Sequence, residues 1–136
     1  MPLDPDKVAL CREWLTIADL RAAKILQAAS PPALEQALYL CQQSAEKTLK
    51  AFLAWHDRPL SKTHDLKKLG EDCAGIDISL RNLPGEVAGL TAYGSMYRYP
   101  GAAEIEAAME DANQAVECAS DTMRVVLARL PPEVAP

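Results

Sequence analysis

The chain has 136 residues, 49% hydrophobic and 24% charged, the balance of one globular domain able to bury a core without metal or disulfide staples. Its net charge of −5 argues against a protein whose whole surface grips nucleic acid, while leaving room for a local basic patch. The four cysteines, Cys11, Cys41, Cys73 and Cys118, stand thirty or more residues apart with no CxxC pair; they read as small buried residues in a reducing compartment rather than a zinc site.

The opening MPLDPDKVAL carries acids where a signal peptide has bases and then an apolar run. The longest uncharged stretch, Val87 to Tyr97, falls far short of the ~20 residues that span a bilayer. No membrane association is expected, and the location expected is cytoplasmic. Asp4-Pro5 then starts a helix, a capping carboxylate followed by proline at the first helical position. Val8, Cys11, Leu15, Ala18, Ala22 and Ile25 alternate by threes and fours, predicting one continuous apolar face.

Ser30-Pro31-Pro32 stops that helix and is expected to cap the next. The second helix carries Leu34, Leu38, Cys41, Ala45, Thr48, Phe52 and Trp55 inward and ends before Pro59; so short a link makes the pair antiparallel. Thr63 is the expected N-cap of a shorter helix with Leu66, Leu69 and Cys73 inward, closed by Gly75. A fourth helix follows with Val87, Leu90, Gly94 and Tyr97 on one side; Gly89 and Gly94 would admit another backbone. After Pro100-Gly101 the last helix runs with Ile105, Met109, Ala112, Val116, Ala119, Met123, Val126 and Leu130 in register, and prolines 131 and 132 end it. No stretch alternates as a half-buried strand would. The expected fold is an all-α antiparallel up-and-down bundle of about five helices, three long and two short. One domain spans 1–136, with a core over about 5–130 and a frayed tail at 131–136.

Three blocks carry polar groups that could do chemistry. There is no HExxH, GxSxG or GxxxxGK[ST], so no metal and no cofactor is expected, and classical protease, hydrolase and phosphate-loop chemistry is excluded. In Gln42 to Lys50, Gln43 and Lys47 share a helical face, as do Glu46 and Lys50. They are either a polar site within a cleft or ordinary solvated pairs. In Lys62-Thr63-His64-Asp65, His64 sits at a helix N-terminus, where free N–H groups favour phosphate; alternatively it caps and packs. In Tyr93 to Gly101, Arg98 stands between Tyr97 and Tyr99, able to clamp a phosphate while the tyrosines stack, or to lock the bundle through Asp19 or Glu46.

Taken in order, Trp14 with Asp19-Leu20, then Tyr39-Leu40-Cys41-Gln42-Gln43-Ser44-Ala45-Glu46-Lys47 through Leu49-Lys50-Ala51, then Thr63-His64-Asp65-Leu66, then Tyr93 with Tyr97-Arg98-Tyr99-Pro100-Gly101, the sequence resembles the HEPN family, named for higher eukaryotes and prokaryotes nucleotide-binding. The resemblance spans about residues 8 to 130. It implies an antiparallel helical bundle, a homodimer, and pairing with a minimal nucleotidyltransferase in a toxin–antitoxin-like or stress and defence system. Many members are ribonuclease toxins with an arginine, four to six residues, then a histidine. Arg98 matches that arginine, but Ala103, Glu104 and Ile105 occupy the histidine's positions. The chain thus resembles the branch lacking the full motif, and without the histidine no obvious group there takes a ribose 2′-hydroxyl proton at neutral pH.

The expected function is binding of a nucleotide or RNA phosphate through Arg98, Tyr97, His64, Lys47 and Gln43, with Asp19 and Glu46 as a structural polar layer. Two alternatives stand beside it. One is a metal-independent endoribonuclease using Arg98 and His64 as catalytic residues; the other is a purely structural dimeric subunit.

Overall fold

The computed structural model describes residues 2–96 and 106–136. The helices are α1 (Pro5–Ile17), α2 (Arg21–Ala28), α3 (Leu34–Trp55), α4 (Leu66–Ile76), α5 (Leu83–Val87) and α6 (Met109–Leu127), with 3-10 turns at Ile78–Leu80, Ala88–Gly94 and Pro132–Val134. Among the described residues there is no strand. The all-α bundle anticipated from the sequence is the observed fold.

The bundle is built around α3, which packs against α1, α2, α4, α6 and the 88–94 turn. Between Cys41 and Ala54 only Gln43 and Lys47 keep even partial exposure. Such a helix owes its stability to burial on every side rather than to one apolar stripe. Leu38, Leu49 and Phe52 are its largest fully buried apolar side chains, each worth about 1.5–3 kcal/mol of transfer free energy. The buried residues of α6 are mostly small (Ala112, Ala115, Ala119 and Thr122), so α6 can approach α3 closely.

The anticipated first helix is two helices. Asp4 caps α1, accepting the Asp6 N–H at 2.9 Å, with Pro5 behind it, as the sequence indicates. The helix then stops at Ile17, because the Asp19 carboxylate captures the Arg21 N–H at 2.9 Å and the Arg21 Nε at 2.5 Å. A short polar side chain that bonds its own backbone competes with the helical ladder in this way. The break rotates the face that follows: Ala23 is buried instead of Ala22, and Ile25 is 68% exposed.

Other boundaries also differ from the sequence reading. Ser30 does not cap α3; Ala33 takes that place without a side-chain bond. Asp65, not Thr63, caps α4, while the Thr63 hydroxyl accepts the Asp65 N–H. The fourth helix is a five-residue α-helix continued as a 3-10 turn. The last helix begins at Met109, where Asp111 accepts the Ala108 N–H and closes the first turn. The segment after Leu130 is packed, not frayed. Val134 is fully buried, the 132–134 turn lies on α1, and the Arg12 guanidinium donates to the Glu133 carbonyl.

Glycine spacing is used at two close approaches. A Cβ on Gly70 would come within 2.9 Å of the Pro84 backbone, so α4 and α5 meet there with nothing between them. A Cβ on Gly94 would lie 3.0 Å from the Gln42 amide carbon, whereas one on Gly89 would meet nothing within 4 Å. Of the two glycines singled out by sequence, only Gly94 admits a neighbour.

Candidate functional site

The Glu46 side chain is fully buried in the middle of α3. Ionised carboxylates are tolerated in such a place only when partnered by donors. Four donors converge on it. Oε1 accepts from His64 Nδ1 at 2.7 Å and from Gln42 Nε2 at 3.3 Å. Oε2 accepts from Lys47 Nζ at 3.2 Å and from Lys50 Nζ at 3.3 Å. Gln42 is buried too; its oxygen accepts from Gln43 Nε2 at 2.7 Å, which links Gln43 to the layer at one remove.

The two lysines sit above the Trp14 ring, each ammonium 5.9 Å from its centroid. That contact adds a cation–π component to the ion pairs. Lys50 is buried with its charge, while Lys47 reaches the surface. Burial pushes the Glu46 carboxyl up, but the His64 bond and the Lys50 and Lys47 ammonium groups outweigh it and hold the group below its ordinary value. Two ammonium groups face one carboxylate, so the cluster carries an excess positive charge before His64 is counted.

His64 arrives from the loop ahead of α4 and keeps 73% of its side chain exposed. The bond to Glu46 fixes Nδ1 as the protonated nitrogen facing the carboxylate. Nε2 is then turned away from Glu46 and makes no hydrogen bond to a described residue. The N-terminus of α4 does not add free donors beside it. Asp65 accepts from the Lys67 and Lys68 N–H groups, and the Thr91 hydroxyl accepts from the Leu66 N–H. An anion at this end of the molecule would be held by side chains, contrary to the expectation that the helix terminus itself would bind it.

The structure therefore brings together Glu46, Lys47 and His64, with Gln43 attached through Gln42. Asp19 is no part of this layer; it is exposed and holds Arg21 at the α1–α2 break. Tyr97 and Arg98 lie outside the described residues, as do Ala103, Glu104 and Ile105. Gln42 and Trp14 belong to the cluster and were not among the site residues read from sequence; Lys50 entered there only as the i+4 partner of Glu46. The spacing of 42, 46 and 50 by fours was the available signal.

Among the described residues no group of three or more His, Cys, Asp or Glu could hold a metal ion, and no helix is long and apolar enough to cross a membrane. All four cysteines are free thiols, with Cys11, Cys41 and Cys73 fully buried. Burial pushes Cys41 and Cys73 up to about 12 and Cys11 up to about 11. These groups are packing residues rather than nucleophiles.

The family model for the HEPN domain matches residues 11–129 of the chain. No curated protein and no solved structure matches it.

Proposed function

The chain belongs to the HEPN domain family, an all-α family of nucleotide-binding and ribonuclease type, and from that premise we propose that it binds the phosphate of a nucleotide or RNA at the Glu46 cluster. The observation that carries this reading is the excess of cations on one buried carboxylate, with Lys47 and His64 at the surface edge. Lys47 supplies the charge, and His64 and Gln43 add hydrogen-bonding groups; Arg98 and Tyr97, matched to the family by sequence and outside the described residues, are the further ligand residues of the proposal. Glu46 is structural: it fixes the cations and does not meet the ligand.

HEPN domains commonly dimerise, and this chain is proposed to act as a homodimer. A minimal nucleotidyltransferase is its proposed partner, in a toxin–antitoxin-like or defence role in the cytoplasm. Light scattering at micromolar concentration should give twice the chain mass; a monomer removes the dimer from the proposal.

The site reading is tested by titrating ATP and a short RNA against the protein and its Lys47→Ala, His64→Ala and Arg98→Ala variants. Each variant is expected to weaken binding by tenfold or more with unchanged helicity. Equal binding by all four proteins would sink it.

One observation favours the ribonuclease alternative. Glu46 holds His64 by Nδ1 and leaves Nε2 outward, the arrangement in which an imidazole takes a proton from a substrate hydroxyl. RNA cleavage lost in both His64→Ala and Arg98→Ala would make that reading the correct one.

A further inference from the structure

We infer that Trp14 is a positioning residue of the phosphate site: its indole ring, carried by α1, holds the Lys47 ammonium in place at the surface edge of the Glu46 cluster. The inference rests on the phosphate-binding reading and adds to it the residue that presents the site's charge.

Helix geometry shows that Lys47 needs a restraint. Lys50 follows Glu46 by four residues, so the two side chains share one face of α3 and meet readily. Lys47 is the very next residue. Adjacent side chains on a helix point about 100° apart and do not face each other. Yet Lys47 Nζ lies 3.2 Å from Glu46 Oε2, as close as Lys50 Nζ at 3.3 Å. The Lys47 stem therefore turns back across α3 to reach its neighbour. A flexible four-carbon stem with a strongly hydrated head loses much rotamer freedom in holding that shape.

The restraint comes from another helix. α1 packs directly against α3, and Trp14 is half-buried against the core. The Lys47 and Lys50 ammonium groups each lie 5.9 Å from the Trp14 ring centroid, within the range at which an indole face attracts a cation. Lys47 is thus held twice, by a carboxylate of its own helix and by an aromatic ring of the next one.

Of the two cations on the ring, Lys47 is the one an anion can meet. Its side chain keeps 23% exposure, against 8% for Lys50. Among the described residues its ammonium gives a single hydrogen bond, to Glu46, and it has three N–H donors to offer. A phosphate oxygen arriving there finds a cation whose orientation is already set, so less freedom is lost on binding.

An indole can also cover a lysine stem as simple packing. The two roles separate by substitution: packing is served by any apolar side chain, whereas holding the ammonium requires an aromatic face. ATP is titrated by calorimetry against the whole protein and its Trp14→Phe, Trp14→Leu, Lys47→Ala and Trp14→Leu/Lys47→Ala variants, with circular dichroism as the check on folding. Trp14→Leu is expected to weaken binding about tenfold and Trp14→Phe by less than about threefold. The double variant should bind no more weakly than Lys47→Ala alone, because Trp14 acts through Lys47. The wild-type protein gives a reading that needs no variant: the Lys47 ε-methylene proton signals should be displaced by the ring current of Trp14.

Equal affinity of wild type and Trp14→Leu overturns the inference and leaves the phosphate reading standing. A Trp14→Leu loss that recurs in full in the Lys47→Ala background also overturns it, since the ring then acts by another route. Lys47 signals at their ordinary positions overturn it even if Trp14→Leu fails to fold. Absence of ATP binding by the wild type removes both readings.

Discussion

His64 Nδ1 lies 2.7 Å from Glu46 Oε1, which fastens the loop ahead of α4 to the middle of α3, eighteen residues earlier in the chain. The exposed ring is thus oriented by a carboxylate that solvent never reaches. The pairing ties the stability of the core to the shape of the surface above it.

Removing the carboxylate should therefore be more damaging than removing any one of its partners. Glu46→Ala leaves the buried Lys50 ammonium without a counter-charge, and breaking a buried pair from one side costs about 3–5 kcal/mol. His64→Ala removes a mostly exposed ring and leaves three donors on Glu46, so its cost should stay near or below about 1 kcal/mol. Urea unfolding of both variants measures the difference. Equal destabilisation would mean that the buried charges re-pair or hydrate.

Stability should depend on acid in a direction set by the same group. The native Glu46 carboxyl lies below its ordinary value of 4.5: burial raises it, and the His64 bond with the Lys50 and Lys47 ammonium groups more than reverses that. A depressed native pKa stabilises the fold fully above the unfolded value and loses that contribution as pH falls through the native value. Asp19, lowered by the Arg21 N–H, and Asp77, lowered by the Ser79 hydroxyl, act with the same sign. Unfolding midpoints should hold level near neutrality and drop below pH 4.5. Glu46→Gln should give a shallower acid limb, and an unchanged limb would remove Glu46 from the account.

Two glycines separated by five positions should respond oppositely to alanine. At Gly94 the new Cβ presses on the Gln42 amide at 3.0 Å, and relieving that overlap costs roughly 1–3 kcal/mol. At Gly89 the Cβ enters open space, and a stiffer unfolded chain gains about 0.4–1 kcal/mol. Thermal melting of Gly94→Ala and Gly89→Ala checks both signs.

The thiols supply a probe of opening. Cys11, Cys41 and Cys73 are buried and raised to about 11 or 12, so little thiolate exists at pH 8. A disulfide reagent at that pH should modify native protein slowly, with Cys118, only half-buried, first. The other three should react at the rate of unfolding. Rapid modification of all four in native buffer would contradict the packing described.

The inward faces of α1 and α3, the Asp4-Pro5 start and the all-helical character were legible, because they depend on spacing and on neighbours in sequence. The break at Asp19 was not, since periodicity registers an off-face aspartate as solvent without showing that it bonds Arg21. Glu46 was legible as a member of a polar layer, but sequence left open whether that layer is buried or solvated, because a helix covered on all sides has no outer face for a pattern to mark. Its histidine partner lies beyond helical spacing, so no local rule could pair them. Gly70 was overlooked for a similar reason: its neighbour Pro84 comes from another element.

The near-complete enclosure of α3 carries a consequence for how the molecule opens. Amide hydrogens along Cys41 to Ala54 can exchange with solvent only when the surrounding helices part, so their protection should track the global unfolding free energy. Any molecule captured beside Glu46 and Lys47 is anchored to that last-opening segment. Its occupancy would raise the melting point of the entire domain, and the fold as a whole would serve as the reporter of what it has bound.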